Sequence, residues 1–162
     1  MKTFSMKDGQ HPYGLQFVFS GNLFKYVIDT ALIVGTLNYE IVTPTDRDMH
    51  IIGHSIFTDS SGCVFELVEN GIDVNGSTLS TIPYNVNRLV GTTSQTGFFS
   101  NPTTSGSSGV AIYKISLVAN SKSNQITPEM ILPKNSKYLF RFVNSVAGTT
   151  VSNSFVWYEA TN

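Results

Sequence analysis

The stretch that decides the fold is Ile131–Glu159, ILPKNSKYLFRFVNSVAGTTVSNSFVWYE. It holds two aromatic runs of period 2, Tyr138–Val143 (YLFRFV) and Ser154–Glu159 (SFVWYE), joined by a polar connector containing Ala147, Gly148 and Thr149. Strand side chains alternate between faces, so each run predicts a strand with one buried face. In the first run Tyr138, Phe140 and Phe142 share the expected core face, opposite Leu139, Arg141 and Val143. In the second, Phe155 and Trp157 alternate with Val156 and Tyr158. The spacing predicts that the two runs pair as one antiparallel hairpin with a long loop. A side chain such as Trp157 buries about 150–250 Å², worth on the order of 4–6 kcal/mol as an upper bound. Its loss is therefore expected to loosen the whole domain.

The approach to these runs, Leu132–Tyr138, reads as a sandwich corner. Pro133 fixes φ and has no N–H for a ladder, which suits the bend before a strand. Tyr138 opens that strand, where a tyrosine hydroxyl can bond backbone a few residues upstream as in a tyrosine corner, or serve as an ordinary strand aromatic.

Moving outward, the pattern stays β. Leu15–Phe19, a turn at Ser20–Asn22 and Leu23–Ile28 predict a first hairpin, and Thr30–Val34 fits either a strand or a helical turn. Asn38–Thr43 ends at Pro44, and Met49–Phe57 and Cys63–Val68 follow as strands. Asn70-Gly71 and Asn75-Gly76 are tight-turn dipeptides, the second also a glycosylation sequon that here reads as a turn. Pro83 makes Leu79–Leu89 an irregular edge strand. Asn101–Gly109 is a Ser/Gly-rich exposed loop, Val110–Val118 a strong strand, and Asn120–Asn124 a polar loop. These eight to ten short strands without βαβ alternation predict an all-β, antiparallel two-sheet sandwich, jelly-roll-like, with an immunoglobulin- or fibronectin-like sandwich as the alternative. Residues 1–12 read as an N-terminal arm and 13–162 as a single β-sandwich domain.

Composition narrows the function. Charged residues make up 13% of the 162, about half the usual share, so Ser, Thr and Asn must supply the polar surface. With Lys+Arg 10 against Asp+Glu 11 there is no basic footprint for nucleic acid or an anionic membrane. The single cysteine, Cys63, forms no internal disulfide, and its apolar strand marks it as a small buried residue. Met1–Lys7 lacks an apolar signal core and Ala31–Val34 is too short to span a bilayer, so assembly in a reducing cytoplasm is expected.

No pattern points to chemistry. His50 and His54 are four residues apart, roughly 13 Å along a regular strand, too far to share a zinc unless the strand is broken. Asp46 and Asp48 flank Arg47 in a turn without calcium-loop spacing. No nucleophile elbow, phosphate loop or dinucleotide fingerprint occurs. Nothing singles out a carboxylate pair among Glu40, Glu66, Glu69 and Glu129. The expectation is a protein that is no enzyme, with no catalytic residue, cofactor or metal. Arg88 sits among apolar neighbours, as a snorkelling side chain or local ion pair, or as the anchor of a subunit or capsid contact. Asn85, Asn87, Arg88 and Asn101 are the candidate interface residues.

Three sets of residues stand in order along the chain. They are Ile41–Pro44 with Met49–Ile51; Glu69–Gly71 with Asn75-Gly76, Asn85–Arg88 and Asn101–Thr103; and Ile131–Pro133 with Lys137–Leu139, Arg141 and Trp157–Glu159. Together, over roughly residues 37 to 160, they resemble the capsid auxiliary proteins of tailed bacteriophages, also called decoration, cement or head-fibre proteins. The resemblance implies a jelly-roll-like sandwich that forms homotrimers on the capsid exterior and braces the major capsid protein. It carries no catalytic residue or cofactor, and another fibre or virion protein is a further possible partner. The alternative is a glycan- or receptor-binding module of a phage tail, fibre or collar, with Phe98, Phe99 or Tyr84 stacking on sugar rings.

Overall fold

In the computed structural model the described residues are 22–32, 34–70, 72–74, 76–79, 83–86, 91–104, 109–125 and 129–161. The proposed arm, the strand 15–19, Asn87 and Arg88 lie outside them. Every element is a strand: β1 (Leu23–Leu32), β2 (Gly35–Val42), β3 (Asp48–Thr58), β4 (Cys63–Glu69), β5 (Ile72–Val74), β6 (Ser77–Thr78) and β7 (Tyr84–Asn85). There follow β8 (Gly97–Ser100), β9 (Thr103–Thr104), β10 (Val110–Leu117), β11 (Ser121–Gln125), β12 (Met130–Leu132), β13 (Lys137–Asn144) and β14 (Thr149–Ala160). The first sheet has the order β11-β3-β14-β1-β7, with β12 also on β3; the second has β10-β4-β13-β2-β8-β6, and β5 pairs with β9 apart from both. All pairings are antiparallel.

The predicted hairpin of 138–143 with 154–159 is not formed. β13 pairs with β2 and β4 in the second sheet, while β14 pairs with β1 and β3 in the first. The runs meet face to face across the core instead, because each has one aromatic face and two such faces bury most area by packing against each other. The pairs β1/β2 and β3/β4 cross between sheets in the same way, which gives the fold its jelly-roll wrapping. Asn120–Asn124, expected as a loop, mostly belongs to β11 on the edge of the first sheet, where backbone pairing to β3 makes a strand of a polar sequence.

Tyr138, Phe140 and Phe142 are buried, as is Trp157 with Phe24 and Phe98 at 5.9 and 5.6 Å from its ring. Leu139 and Val68, on the outer face of the second sheet, are also fully buried, and β5 lies against β13. That face is thus partly roofed. At the corner the Tyr138 hydroxyl meets the Ser136 side chain. The bend itself is held by Thr43, whose hydroxyl donates to the Pro133 carbonyl (2.7 Å) and accepts from the Ser136 N–H (2.8 Å).

Candidate interaction surface

β3 carries a register shift. Val156 pairs with Gly53 but Trp157 with Ile51, leaving Ile52 as an extra residue. The break turns His50 outward beside Tyr158 and His54 inward beside Phe155, so the two histidines occupy opposite faces of the sheet. Among the described residues no three of His, Cys, Asp and Glu are grouped to hold a metal.

The polar groups that do come together hold the chain to itself. His50 stacks on Tyr158 (4.5 Å) and its Nδ1 meets Glu129 Oε1 at 2.9 Å, while the Tyr158 hydroxyl donates to the same oxygen. His50 Nε2 is closed to solvent and has no hydrogen-bond partner among the described residues. The cluster fastens the segment ahead of β12 to the first sheet. On the second sheet Glu66 takes Lys114 (2.9 Å) and Arg141 (3.2 Å), and the Lys114 hydrogen bond above all holds its carboxyl below the usual range. Glu40, fully buried, accepts the Gly76 N–H at 2.9 Å. Glu159 accepts from Ser94, Gln95 and Thr96 and so pins the strand leading into β8. Burial pushes the Cys63 thiol up to about 11, which leaves it protonated and inert.

Asn85 sits on β7, its Nδ2 donating to the Thr92 carbonyl (3.1 Å). Asn101 is exposed, with φ of 52°, at the bend after β8, where its N–H donates to the Asn38 carbonyl (3.2 Å). Asn85 thus belongs to the first sheet, whereas Asn101 follows a strand of the second. Phe98 is no surface ring: at 4% exposure it stacks on Tyr26 (4.1 Å) in the core. Phe99 is half-buried, its ring edge close over Gly97, and Tyr84 is half-buried on β7. The sugar-stacking expectation for Phe98 is corrected by the alternation of β8, which turns one of two adjacent phenylalanines inward.

The feature that the sequence did not reveal is the contrast between the two ends of the sandwich. At one end lie Val34, the loop 59–62, the loop 118–120 and the connector 145–148, brought together because Leu32 is opposite Thr149 and Asn144 is opposite both Gly35 and Cys63. Asp59 is the single charged side chain in these described segments, and its Oδ1 accepts the Thr150 N–H at 2.8 Å. The loops are tightly tied. Ser145 donates through N–H and Oγ to the Gly62 carbonyl (3.1 and 3.0 Å), and Asn120 N–H donates to the Thr58 carbonyl (2.8 Å). Thr149 Oγ1 donates to the Val146 carbonyl (2.9 Å) and lies 2.6 Å from Ser60 Oγ. The opposite end carries the Asp46–Arg47 pair, Lys134 and Lys137.

No protein-family model, no curated protein and no solved structure matches this chain. Fold and surface together define a class: a jelly-roll-like β-sandwich with its buried carboxylates engaged by its own strands and loops, and with one neutral and one charged end.

Proposed function

We propose that the chain is a structural virion protein of a tailed bacteriophage, a homotrimer that decorates or cements the outside of the capsid against the major capsid protein and performs no reaction. The observation that carries this reading is the use made of the buried acids. Glu40, Asp48, Glu66 and Glu159 each accept hydrogen bonds from the chain's own loops and strands, as befits a scaffold that presents surface. The residues of the phage resemblance support it through the fold, since Tyr138, Leu139 and Trp157 are buried and Pro133 is at the corner. β10, eight residues long with Val110 and Ile112 exposed, pairs among the described strands with β4 alone and offers an edge to the major capsid protein. The glycan-binding alternative retains Phe99 and Tyr84 but loses Phe98 to the core.

Cryo-electron microscopy of the virion tests the proposal. Density for the chain on the head surface is expected; density at the tail tip, or absence of the chain from purified particles, overturns it.

A further inference from the structure

The exposed apolar residues of the described chain are not spread evenly. Val34 (59% exposed), Val118 (64%), Val143 and Val146 (41%) project at or beside the neutral end. Val110 and Ile112 on β10 lie beside Glu69 and Lys114, and Ile131 stands between Glu129 and Lys134. Val86 (38%) stands alone beside Leu23 at the opposite end, whereas at the neutral end several exposed valines coincide with described loops nearly free of charge.

We infer that this end is a contact between copies of the chain, Val34, Val118 and Val146 meeting their counterparts around a symmetry axis. The inference rests on the homo-oligomer of the proposed function and names the surface that builds it. Charge selects the occupant. Near a symmetry axis every side chain faces its own copy, so a charged end opposes like with like, whereas a neutral, valine-studded end does not. The Asp46–Arg47 end fails this condition and the neutral end meets it. A nucleic acid or an anionic surface is a poor occupant, because the described loops there offer no cation.

Size and rigidity set the strength. Four strands of each sheet reach this end, and at about 4.8 Å spacing in two layers each about 10 Å deep they give roughly 400 Å² per copy, half of the about 800 Å² per partner of a standard interface. The loops are already fixed by the Ser145–Gly62, Thr149–Val146 and Asn120–Thr58 hydrogen bonds, so little ordering is lost on association. The oligomer is consequently reversible and dissociates on dilution.

Sedimentation velocity of the isolated full chain over a concentration series is the test. The expected result is a mass of three times the 17.7 kDa chain that falls towards one chain on dilution. Val118→Asp and Val146→Asp, both at exposed positions, are expected to give one-chain mass throughout with an unchanged far-ultraviolet circular dichroism spectrum. Val110→Asp on the β10 edge is expected to leave the oligomer intact. A wild-type chain that is monomeric at every concentration overturns the inference, as does an oligomer that survives both end substitutions or is abolished by Val110→Asp. A monomer still found on phage heads would remove this contact and the trimer and leave only the capsid-surface location standing; an oligomer of a chain absent from virions would keep the contact and remove the location.

Discussion

The rings of Phe140 and Phe155 lie 4.1 Å apart with 2° between their planes, although the strands that carry them belong to different sheets. Phe65 closes on both, at 5.6 and 6.4 Å, and His54 stacks on the other side of Phe155 at 4.7 Å. This column of rings is the seam along which the two sheets are held.

Phe140→Ala is expected to cost about 3–5 kcal/mol, since the site is fully enclosed and cannot collapse freely. The seam is tested more sharply by a double-mutant cycle with Phe140→Leu and Phe155→Leu in urea unfolding. A coupling of about 0.5–1.5 kcal/mol is expected for stacked rings. Strict additivity would show that the two sheets are not joined through this pair.

His54 makes stability depend on pH. Burial in the aromatic seam lowers its pKa from 6.5 to about 4, against a smaller opposing effect of the Asn153 hydrogen bond. The unfolded chain therefore binds a proton near pH 6.5 while the native protein refuses it until about pH 4. Stability from this group is complete above pH 6.5 and is lost as pH falls through that window, at up to roughly 1.4 kcal/mol per pH unit and on the order of 3 kcal/mol in all. Carboxylates titrate low in the same range, so the informative quantity is the difference between wild type and His54→Gln in urea midpoint. That difference is expected to shrink from pH 7 to pH 4.5; a constant difference would remove His54 as its source.

How much of this was legible follows from what period 2 encodes. It tells which side chains share a face, and so Tyr138, Phe140, Phe142, Phe155 and Trp157 read correctly as core. It does not tell which strand lies alongside, and so two consecutive aromatic runs looked like a hairpin when they face each other across the core. Adjacent identical residues defeat it altogether: nothing in Phe98-Phe99 says which ring turns inward. The bulge at Ile52 left no mark in composition, yet it decides that His50 and His54 part company. The neutral end was beyond sequence reasoning because Val34, Val118 and Val146 are far apart in the chain and only the sheet crossings bring their loops together.

Gly76 is packed against backbone and tolerates no side chain. A Cβ there would lie 2.0 Å from the Ser100 carbonyl oxygen and 2.9 Å from the Pro102 nitrogen, atoms held in place by the pairing of β6 with β8. The same residue supplies the N–H that satisfies one oxygen of buried Glu40. Gly76→Ala keeps the N–H but must shift the backbone to relieve the clash, pulling that donor away from Glu40, and is expected to cost at least about 3 kcal/mol. Urea unfolding followed by Trp157 fluorescence measures it, and a loss below about 0.5 kcal/mol would mean that this packing is looser than it looks.

Glu159 and Glu66 offer a controlled comparison of two kinds of charge. Glu159 Oε1 accepts from Ser94 Oγ (2.6 Å), Thr96 Oγ1 (2.9 Å) and the Gln95 and Thr96 N–H groups (3.1 Å each), in a buried setting. Lys114 reaches Glu66 at 2.9 Å from a side chain that is 60% exposed. Hydrogen bonds to a buried charge are worth roughly 1.5–3 kcal/mol, whereas an exposed ion pair contributes about 0–1 kcal/mol. Glu159→Gln removes the negative charge these donors share and sets an NH2 where Oε2 meets the Gln95 N–H (3.2 Å), so it is expected to cost about 2 kcal/mol or more and to speed hydrogen exchange at the Gln95 and Thr96 amides. Lys114→Ala is expected to cost under about 1 kcal/mol and to leave those amides protected, because Arg141 still neutralises Glu66. Equal losses in the two variants, or unchanged exchange at Gln95 and Thr96 in Glu159→Gln, would show that the segment ahead of β8 is held by something other than this carboxylate.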